Sequence, residues 1–438
     1  MLRSLDDRWE RLLISCIALM AVAGIVLCYA GNKLPFPFWS GMLILCGRYM
    51  LFGSVITLIF ILAIRLIYHR IYRGVKYAFL HYHLTKQLKM ELFDADVFVK
   101  RFFMGEAVAV LPRVKVSFSD RCLTGEVRIE KTIKDRSKLE DKDISCALGR
   151  YIVEQSFTSA NGNWLVYDIF DSEYDRQLVY ENCREYAADS AKAGTYELKI
   201  DSITTVGLHH SLICGQTGSG KSYGCNTLIY QMLCKKAHYN LYFADPKKSG
   251  MAVIGNKIAG DRTADTIDGI IDLVRLFHNT LEERKGKMES ALKSSKKVDA
   301  DFRDFGMEPH VLIFDEYLAF SLSLANYKKD IRDEVSKMLS DIVLMGRQCG
   351  FFLWLIMQSA PSTQIPTFIR DQLVFKVVLG NSDRSTYTVT FDAGADIPAG
   401  RFSAGYGVYT YAGMTEKPKI IAFPTIKDFD ILAAVGEL

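Results

Sequence analysis

Residues 215–222 read Gly-Gln-Thr-Gly-Ser-Gly-Lys-Ser, a glycine-rich run that few folds can accommodate. In this pattern backbone N–H groups turn toward phosphates, the lysine reaches the β- and γ-phosphates, and the last hydroxyl ligates Mg²⁺. The apolar run 211–214 precedes it, and the helical stretch 223–233 places its N-terminus under the anion. The sequence therefore predicts a strand–loop–helix unit that binds ATP and Mg²⁺. Its binding residues are Gly215, Gln216, Thr217, Gly218, Ser219, Gly220, Lys221 and Ser222.

A second polar element follows another apolar run. Residues 310–314 are His-Val-Leu-Ile-Phe, and Asp315 and Glu316 come directly after them. The carboxyl ends of parallel strands share one edge of a sheet, so these carboxylates are expected beside the phosphate loop. We interpret Asp315 as a Mg²⁺-holding acid and Glu316 as the residue that polarises the attacking water. Together with Lys221, this pair predicts hydrolysis of the nucleotide rather than binding alone.

Two further residues are candidates for the same reaction. Gln358 follows the apolar run 352–357, and a polar residue there lies near the γ-phosphate in such sheets. Arg347 lies between a helix and that run, where one subunit could present it to its neighbour's nucleotide. An ordinary strand-end glutamine and a solvated or salt-bridged arginine are the alternatives. Arg370 and Arg384 are further candidates for an arginine supplied by a neighbouring subunit.

From residue 211 onward, short apolar runs alternate with longer helical stretches. The apolar runs cover 211–214, 240–244, 311–314, 352–357 and 373–378. Apolar strands that are separated by helices predict a parallel sheet with both faces covered. We therefore expect residues 201–438 to form an α/β P-loop NTPase motor, with a long helix over 263–292.

Residues 77–200 carry no chemical motif and contain short strand-like stretches, for example 113–118 and 164–167. Residues 77–90 and 139–156 are each expected to form a helix. This mixture predicts a small membrane-proximal α+β domain. The chain is thus expected to have three parts, which cover 1–76, 77–200 and 201–438.

The apolar excess of the chain, whose mean hydropathy is +0.08, is concentrated in residues 1–76. Residues 12–30 contain no charged side chain, and in 49–67 only Arg65 is charged. Each run is long enough to cross a bilayer as a helix, so the two runs predict a transmembrane hairpin whose turn covers 31–39. A cleaved signal peptide and a pair of buried core helices are the alternatives.

The charges beside the two runs predict the orientation of the hairpin. The turn holds only Lys33, with Arg48 at its far edge. The remaining nearby cations flank the hairpin at its two outer ends; they are Arg3, Arg8, Arg11, Arg65, Arg70, Arg73 and Lys76. The excess of positive charge on cytoplasmic segments then places both termini in the cytoplasm.

Charge and cysteine content bound the class of protein. The net charge of +4 permits a nucleic-acid partner without arguing for one. None of the ten cysteines forms a Cys-x-x-Cys pair, which favours a reduced chain without a zinc site or a disulfide framework.

Five motifs follow one another along the second half of the chain. They are the phosphate loop, Asp245-Pro246-Lys247, Asp315-Glu316-x-Leu318-Ala319, Gly346-Arg347-x-x-Gly350 before Gln358, and Asp383-Arg384-Ser385-Thr386. In this order they resemble the FtsK/SpoIIIE-type DNA translocases, over residues 204–423. The resemblance implies a RecA-like motor that assembles into a hexameric ring and pumps double-stranded DNA with ATP. Candidates for the DNA path are Lys247, Lys248 and the lysine-rich tail 293–297, because phosphate contacts need only loose cationic loops.

The layout of the chain resembles that of the FtsK-like coupling proteins of Gram-positive conjugative elements. It consists of two apolar runs, little linker and an end soon after the motor. That resemblance implies a bacterial cell-membrane protein that delivers a relaxase, with double-stranded or processed plasmid DNA, to a type IV secretion channel. A chromosome translocase and an FtsK-like secretion-system ATPase are the alternatives within the family. A transporter or a signalling GTPase is the alternative outside it, but the chain has no Leu-Ser-Gly-Gly-Gln and no Asn-Lys-x-Asp motif.

Overall fold

The computed structural model describes residues 3–438 except 104, 120, 132–143, 296, 298, 360–364, 393, 396 and 399–400. The chain divides into two compact units, Met1–Tyr174 and Asp175–Leu438. The three-part division at 76/77 and 200/201 stays a prediction.

Two long helices dominate the beginning of the first unit. The strand β1 (Arg3–Ser4) is followed by helices α1 (Leu5–Lys33) and α2 (Pro37–Tyr68), a 3₁₀ turn (Ile71–Arg73) and helix α3 (Val75–Asp94). The predicted turn over 31–39 is too long, because α1 continues to Lys33 and α2 begins at Pro37. Proline suits the first turn of a helix, where its missing N–H is not needed. Arg48 lies inside α2 and does not interrupt it.

The two helices meet the length and composition expected of membrane spans. Their apolar segments, Trp9–Lys33 and Pro37–Tyr68, have hydropathies of 2.6 and 2.5, and only 6% of each is buried within the protein. So little burial argues against the pair being core helices of a soluble domain. The helices pack closely where Gly24 faces Gly47, since a Cβ atom on Gly47 would lie 2.6 Å from Cys28 Sγ.

The rest of the first unit is built from antiparallel strands. Strands β2 (Val99–Phe103) and β3 (Glu106–Val110) form a small sheet with β1. A four-stranded sheet in the order β4-β5-β7-β6 follows, made of β4 (Val114–Phe118), β5 (Thr124–Glu130), β6 (Tyr151–Thr158) and β7 (Trp164–Asp171). The helix α3 covers this sheet with a buried stripe that includes Leu84, Leu88 and Leu92.

The predicted helix over 139–156 is wrong where the structure describes it. Residues 139–143 lie outside the described residues, Ser145–Ala147 is a 3₁₀ turn, and Tyr151–Thr158 is a strand. This strand pairs with β7 from Tyr151 opposite Asp171 to Thr158 opposite Leu165. Its β-branched and aromatic residues suit a pleated sheet, and pairing with β7 decides the structure where local helical preference is weak.

The second unit opens with short elements. They are β8 (Val179–Tyr180), α4 (Cys183–Ser190), β9 (Glu197–Lys199) and β10 (Thr205–Gly207). A regular alternation of strands and helices follows: β11 (Ser211–Gly215), α5 (Lys221–Leu233), β12 (Asn240–Ala244), α6 (Gly250–Ala259), a 3₁₀ turn (Gly260–Arg262), β13 (Thr263–Ala264), α7 (Ile267–Ser294), β14 (His310–Asp315), α8 (Tyr317–Leu324), α9 (Lys329–Cys349) and β15 (Phe351–Met357). The unit ends with α10 (Thr367–Gln372), β16 (Phe375–Leu379), α11 (Arg384–Phe391), β17 (Tyr406–Tyr411), β18 (Lys419–Ala422), β19 (Thr425–Ile426) and α12 (Ile431–Gly436).

The second unit is organised by one eight-stranded sheet. Its order is β13-β12-β14-β15-β11-β16-β17-β18, and the first six strands are parallel while β17 and β18 are antiparallel additions. All seven residues of β15 are apolar and buried, as a strand covered by helices on both faces requires. The α/β fold with a mostly parallel sheet is confirmed. The strand β11 lies in the middle of the sheet, so the loop after it opens at the sheet's carboxyl edge.

Candidate functional site

The phosphate loop joins β11 to α5 through two glycines in the left-handed region. Gly218 has a φ of 85° and Gly220 a φ of 84°, which side chains with a Cβ atom rarely adopt. A Cβ atom on Gly220 would lie only 2.5 Å from the backbone nitrogen of Gly405. That nitrogen donates a hydrogen bond to the Ser219 carbonyl oxygen at 2.8 Å. The sequence therefore needs glycine at position 220 for both conformation and space.

A cavity of about 410 Å³ opens at the carboxyl edge of the sheet, above this loop. The cavity brings together residues that follow three different strands, β11, β14 and β15, and that the sequence predicted to bind or hydrolyse the nucleotide. The lining residues are Gln216, Thr217, Gly218, Gly220, Lys221, Ser222, Tyr223, Lys247, Ser249, Asp315, Glu316 and Gln358. Of the candidate residues of the phosphate loop, only Gly215 and Ser219 do not line the cavity.

Glu316 lies between two lysines in this cavity. Its Oε1 is 3.6 Å from Lys221 Nζ and its Oε2 is 3.3 Å from Lys247 Nζ. Lys221 and Glu316 are both buried, whereas the side chain of Lys247 is half-exposed. Glu316 also has a φ of 52°, a left-handed conformation that is uncommon outside glycine and is concentrated at functional sites. The turn after β14 thus directs this carboxylate at the phosphate-loop lysine.

The loop after β12 is arranged by a carboxylate that the sequence analysis did not assign. The buried Asp245 accepts hydrogen bonds from the backbone N–H groups of Lys247, Ser249 and Ala252. Ser249 Oγ lies 2.7 Å from Asp245 Oδ2 and 3.2 Å from Asp315 Oδ2. An aspartate directly after an apolar strand was the signal available in the sequence. This loop carries Lys247 into the lining of the cavity, and its expected contact with DNA stays a prediction.

Asp315 and Ser222 are the residues that fit a Mg²⁺ ion carried by the nucleotide. Both line the cavity, and carboxylate and hydroxyl oxygens are ligands that Mg²⁺ accepts. Burial raises the pKa of Asp315, the Lys221 ammonium lowers it, and the Asp245 carboxylate raises it further. A bound cation would favour the ionised form of Asp315. Among the described residues, no group of three or more His, Cys, Asp or Glu side chains could hold a separate metal.

The structure does not bring the three candidate arginines together. Arg347 is exposed in the last turn of α9, just before β15 begins, and therefore lies at the amino edge of the sheet. Arg370 lies in α10, before β16, and its buried Nε has no hydrogen-bond partner among the residues that the structure describes. Arg384 is the exposed first residue of α11, after the carboxyl end of β16. It lines a second cavity of about 750 Å³ with Tyr387 and Asp392.

The other lysines predicted to contact DNA have acidic neighbours. Lys248 Nζ lies 4.0 Å from Asp265 Oδ2, Lys293 Nζ lies 2.6 Å from Glu289 Oε1, and Lys297 Nζ lies 2.9 Å from Asp304 Oδ1. Lys296 lies outside the described residues. These exposed pairs form the ordinary pattern of a solvated surface. Their role in a DNA path stays a prediction.

Comparison with known proteins bears on the segment that contains the phosphate loop. Residues 196–308 match the model of the FtsK/SpoIIIE family. This segment is of the FtsK/SpoIIIE type. The resemblance inferred from the motifs is thereby confirmed. The segment contains the phosphate loop of the cavity, whereas Asp315, Glu316 and Gln358 lie beyond its end. A curated relative, the FtsK domain-containing protein YdcQ of Bacillus subtilis, is 30% identical over 184 residues, which are 42% of this chain and 37% of that protein.

Solved structures with similar folds were also found. The conjugation coupling protein TcpA of pCW3, in its monomer form with ATPγS, matches with a TM-score of 0.49 and 13% identity, over 81% of this chain and 99% of that chain. ATPases 2 and 3 of EssC from Geobacillus thermodenitrificans match with a TM-score of 0.41 and 13% identity, over 60% and 50%. The type VII secretion ATPase EccC of Thermomonospora curvata matches with a TM-score of 0.39 and 17% identity, over 66% and 30%.

Proposed function

We propose that this protein is a membrane-anchored ATPase that moves DNA, and that it acts as a coupling protein for conjugation. In this role it delivers relaxase-bound DNA to a type IV secretion channel. The observation that carries the ATPase part is the cavity where Lys221, Asp315 and Glu316 meet. The phosphate loop of this cavity lies in the segment 196–308, which is of the FtsK/SpoIIIE type. The two apolar helices support an anchor in the cell membrane.

The geometry supports a simple division of roles among the residues of the cavity. Backbone N–H groups of the phosphate loop and Lys221 bind the phosphates, and Ser222 and Asp315 hold the Mg²⁺ that accompanies them. The γ-phosphate competes with Glu316 for Lys221 and Lys247, since both lysines pair with that carboxylate. Glu316 then accepts a proton from the attacking water, and Gln358 lies at the rim where it can contact the γ-phosphate.

The proposal includes an oligomer and an orientation. A homo-hexameric ring around DNA would let one subunit complete its neighbour's site with an arginine, for which Arg347 is the first candidate. Both termini lie in the cytoplasm, because the cations concentrate at the outer ends of the hairpin. A reporter enzyme that functions only outside the cell should then be active when it is inserted at Pro35. A reporter that functions only in the cytoplasm should be active when it is fused after Leu438.

The test uses the full chain in nanodiscs with matched variants. Lys221→Ala should lose ATP binding, and Glu316→Gln should still bind ATP but hydrolyse it about 10²- to 10⁴-fold more slowly. Glu283→Gln, an exposed glutamate on α7, is the control and should behave as wild type. Double-stranded DNA should stimulate hydrolysis, and the stimulation should fall steeply as salt rises. Wild-type turnover by Glu316→Gln would contradict the proposed chemistry.

A chromosome translocase and an FtsK-like secretion-system ATPase are the alternative roles for the same site. Each of the three roles predicts a different partner in a pull-down from the native host. A relaxase and secretion-channel proteins are expected if the protein couples DNA to conjugation. Recovery of secreted protein substrates without DNA would contradict this role while leaving the ATPase chemistry intact.

A further inference from the structure

The helix α3 (Val75–Asp94) is covered by the protein on one face only. Tyr77, Leu84 and Leu88 are buried against the four-stranded sheet of the first unit. The opposite face exposes Val75 and Phe79 with relative accessibilities of 77% and 60%. Met90, which continues this face at helical spacing, is also largely exposed. An apolar stripe that runs along an exposed helix needs a partner that can cover it.

Positive charge predominates around the stripe, although Arg65 pairs with Glu10 and α3 ends with Glu91 and Asp94. Residues 65–90 contain six lysines and arginines and no aspartate or glutamate. These cations are Arg65, Arg70, Arg73, Lys76, Lys86 and Lys89. The Nζ atom of Lys86 lies 5.9 Å from the centre of the Tyr82 ring, so an aromatic ring and an ammonium group share one site on this face. The occupant of the face should therefore offer both apolar and anionic groups.

Contacts within the first unit hold α3 at the end of α2. His69 Nδ1 lies 2.9 Å from His81 Nδ1, and Arg70 Nη1 donates a hydrogen bond to Tyr77 Oη at 3.3 Å. The rings of Tyr68 and His81 have centroids 6.0 Å apart. Because α2 ends at Tyr68, the first turns of α3 lie where a spanning helix leaves the bilayer. When α2 spans the bilayer, the membrane surface therefore lies beside this part of the molecule.

We propose that the exposed face of α3 lies in the headgroup region of the cytoplasmic leaflet and binds anionic phospholipid. Val75 and Phe79 enter the boundary of the acyl chains, while Lys76, Lys86 and Arg73 contact the phosphates. Helices with an apolar face and a basic border bind membranes in this way. This inference rests on the proposed membrane anchorage of α1 and α2. It adds that anionic lipid headgroups bind the basic residues of α3 and hold the first unit against the membrane.

The experiment places a photo-crosslinking residue, p-benzoylphenylalanine, at position 79 of the full chain. The protein is reconstituted in nanodiscs of phosphatidylcholine alone or of phosphatidylcholine with phosphatidylglycerol. Illumination should give lipid adducts, with a several-fold higher yield in the anionic discs. The double variant Lys76→Glu/Lys86→Glu should reduce that yield several-fold. Lys337→Glu, an exposed charge reversal on α9 in the second unit, is the matched control and should leave the yield unchanged.

Each other outcome contradicts the proposal in a recognisable way. Equal lipid adducts in both disc types would show that lipid charge is not recognised. Adducts between two protein chains would show that a second copy covers the face. A chain that does not incorporate into discs of either kind would overturn the membrane anchorage itself, which is a different failure. Thermal unfolding of each variant in detergent verifies that it is folded.

Discussion

Lys247 and Lys248 are neighbours in the chain but have different acidic partners. Lys247 pairs with Glu316 inside the nucleotide cavity, whereas Lys248 lies 4.0 Å from the exposed Asp265. Lys248 also has a φ of 54°, so the backbone turns sharply between the two side chains. This turn explains why the sequence pattern alone grouped the two lysines, although Lys247 lines the cavity and Lys248 lies at the surface.

Replacing these two lysines separates their roles. Lys247→Ala removes a charge-assisted contact from the phosphates, so the Kd for ATP should rise by roughly tenfold or more. Lys247→Arg should recover most of the affinity, because it retains the positive charge. Lys248→Ala is the neighbouring control and should bind ATP as wild type does. Equilibrium binding of a fluorescent ATP analogue measures all three variants, and equal losses at 247 and 248 would contradict the assignment of Lys247.

At the amino edge of the eight-stranded sheet, opposite the nucleotide cavity, His210 links the strands β11, β15 and β16. Its Nδ1 accepts a hydrogen bond from the Leu353 N–H at 2.9 Å, and its carbonyl oxygen accepts one from the Val374 N–H. Complete burial, together with the nearby His209 and Arg347, lowers the pKa of His210 to about 3. The folded unit therefore keeps this imidazole neutral over most of the acid range.

This buried imidazole predicts acid sensitivity of the second unit. The unfolded chain binds a proton to His210 below its usual pKa of about 6.5, whereas the folded unit does not. The free energy of unfolding should therefore fall as the pH drops from about 6.5 toward 3, by at most about 1.4 kcal/mol per pH unit from this group. His210→Asn keeps an acceptor for Leu353 and should make that dependence shallower. A remaining slope is expected from His209 and His310, whose pKa values burial lowers to about 4 and about 3. The exposed His238→Asn should leave the slope as in wild type.

Urea unfolding at several pH values tests this prediction. Trp354 is the only tryptophan between residues 175 and 438, so ¹⁹F NMR of 5-fluorotryptophan reports on the second unit alone. Parallel pH dependences of wild type and His210→Asn would show that His210 does not carry the effect.

Among the elements, the sequence predicted best the strands in which nearly every residue is buried. The central strands β11, β12, β14 and β15 were expected within one residue of their bounds, because unbroken apolar runs occur where both faces of a sheet are covered. The strand β6 was missed because several of its residues are half-exposed, so it lacks the unbroken apolar run of the central strands. Its pairing with β7 also contains an irregularity between Val153 and Gln155, which interrupts a regular alternation. The start of α2 was missed because Pro37 looks like a turn residue but occupies the first turn of the helix.

The contact between α1 and α2 leads to a prediction at the same scale. A Cβ atom on Gly47 would lie 2.7 Å from the Gly24 carbonyl oxygen, whereas one on Gly41 would meet no atom within 4 Å. Gly47→Leu should therefore separate the helices and cost about 1–3 kcal/mol, as overpacking of a tight contact does. Gly41→Leu, on the same helix, should be tolerated.

Thermal aggregation of the detergent-solubilised chain measures this difference. We expect the temperature of half-aggregation to fall for Gly47→Leu and to stay near the wild-type value for Gly41→Leu. The same fall in both variants would indicate that leucine at either position disturbs the hairpin without a specific contact between the helices.

In the whole molecule, the candidate arginines lie at opposite edges of one sheet. Arg347 lies at the amino edge and Arg384 at the carboxyl edge, which also holds the nucleotide cavity. Both are exposed, as an arginine offered to a neighbouring subunit must be. The sequence predicted the composition of the cavity well because its motifs are local, but a contact between subunits has no signature in one chain.

Mixing experiments identify the arginine that acts in trans. Arg347→Ala alone should lower ATP hydrolysis by about 10³-fold if it completes the neighbour's site. Mixed with Lys221→Ala subunits it should regain activity, because one interface in the mixture then holds both an intact phosphate loop and an intact arginine. Arg384→Ala with Lys221→Ala is the parallel arm. Recovery in that arm alone would reassign the role to Arg384, and no loss in either single variant would contradict an arginine in trans.

The chain between β16 and β17 leaves the sheet and returns to it at the phosphate loop. A Cβ atom on Gly380, at its start, would lie 2.9 Å from Ser219 Cβ, and the Gly405 N–H, at its end, binds the Ser219 carbonyl oxygen. In mechanical terms, both ends of this excursion share one pivot at Ser219. The helix α11, which begins at Arg384, packs Val389 and Phe391 into the core between them. A shift of Ser219 when phosphate arrives would rotate both ends together. The surface around Arg384 could thus report the state of the nucleotide to an adjoining subunit without a chain of intermediate residues.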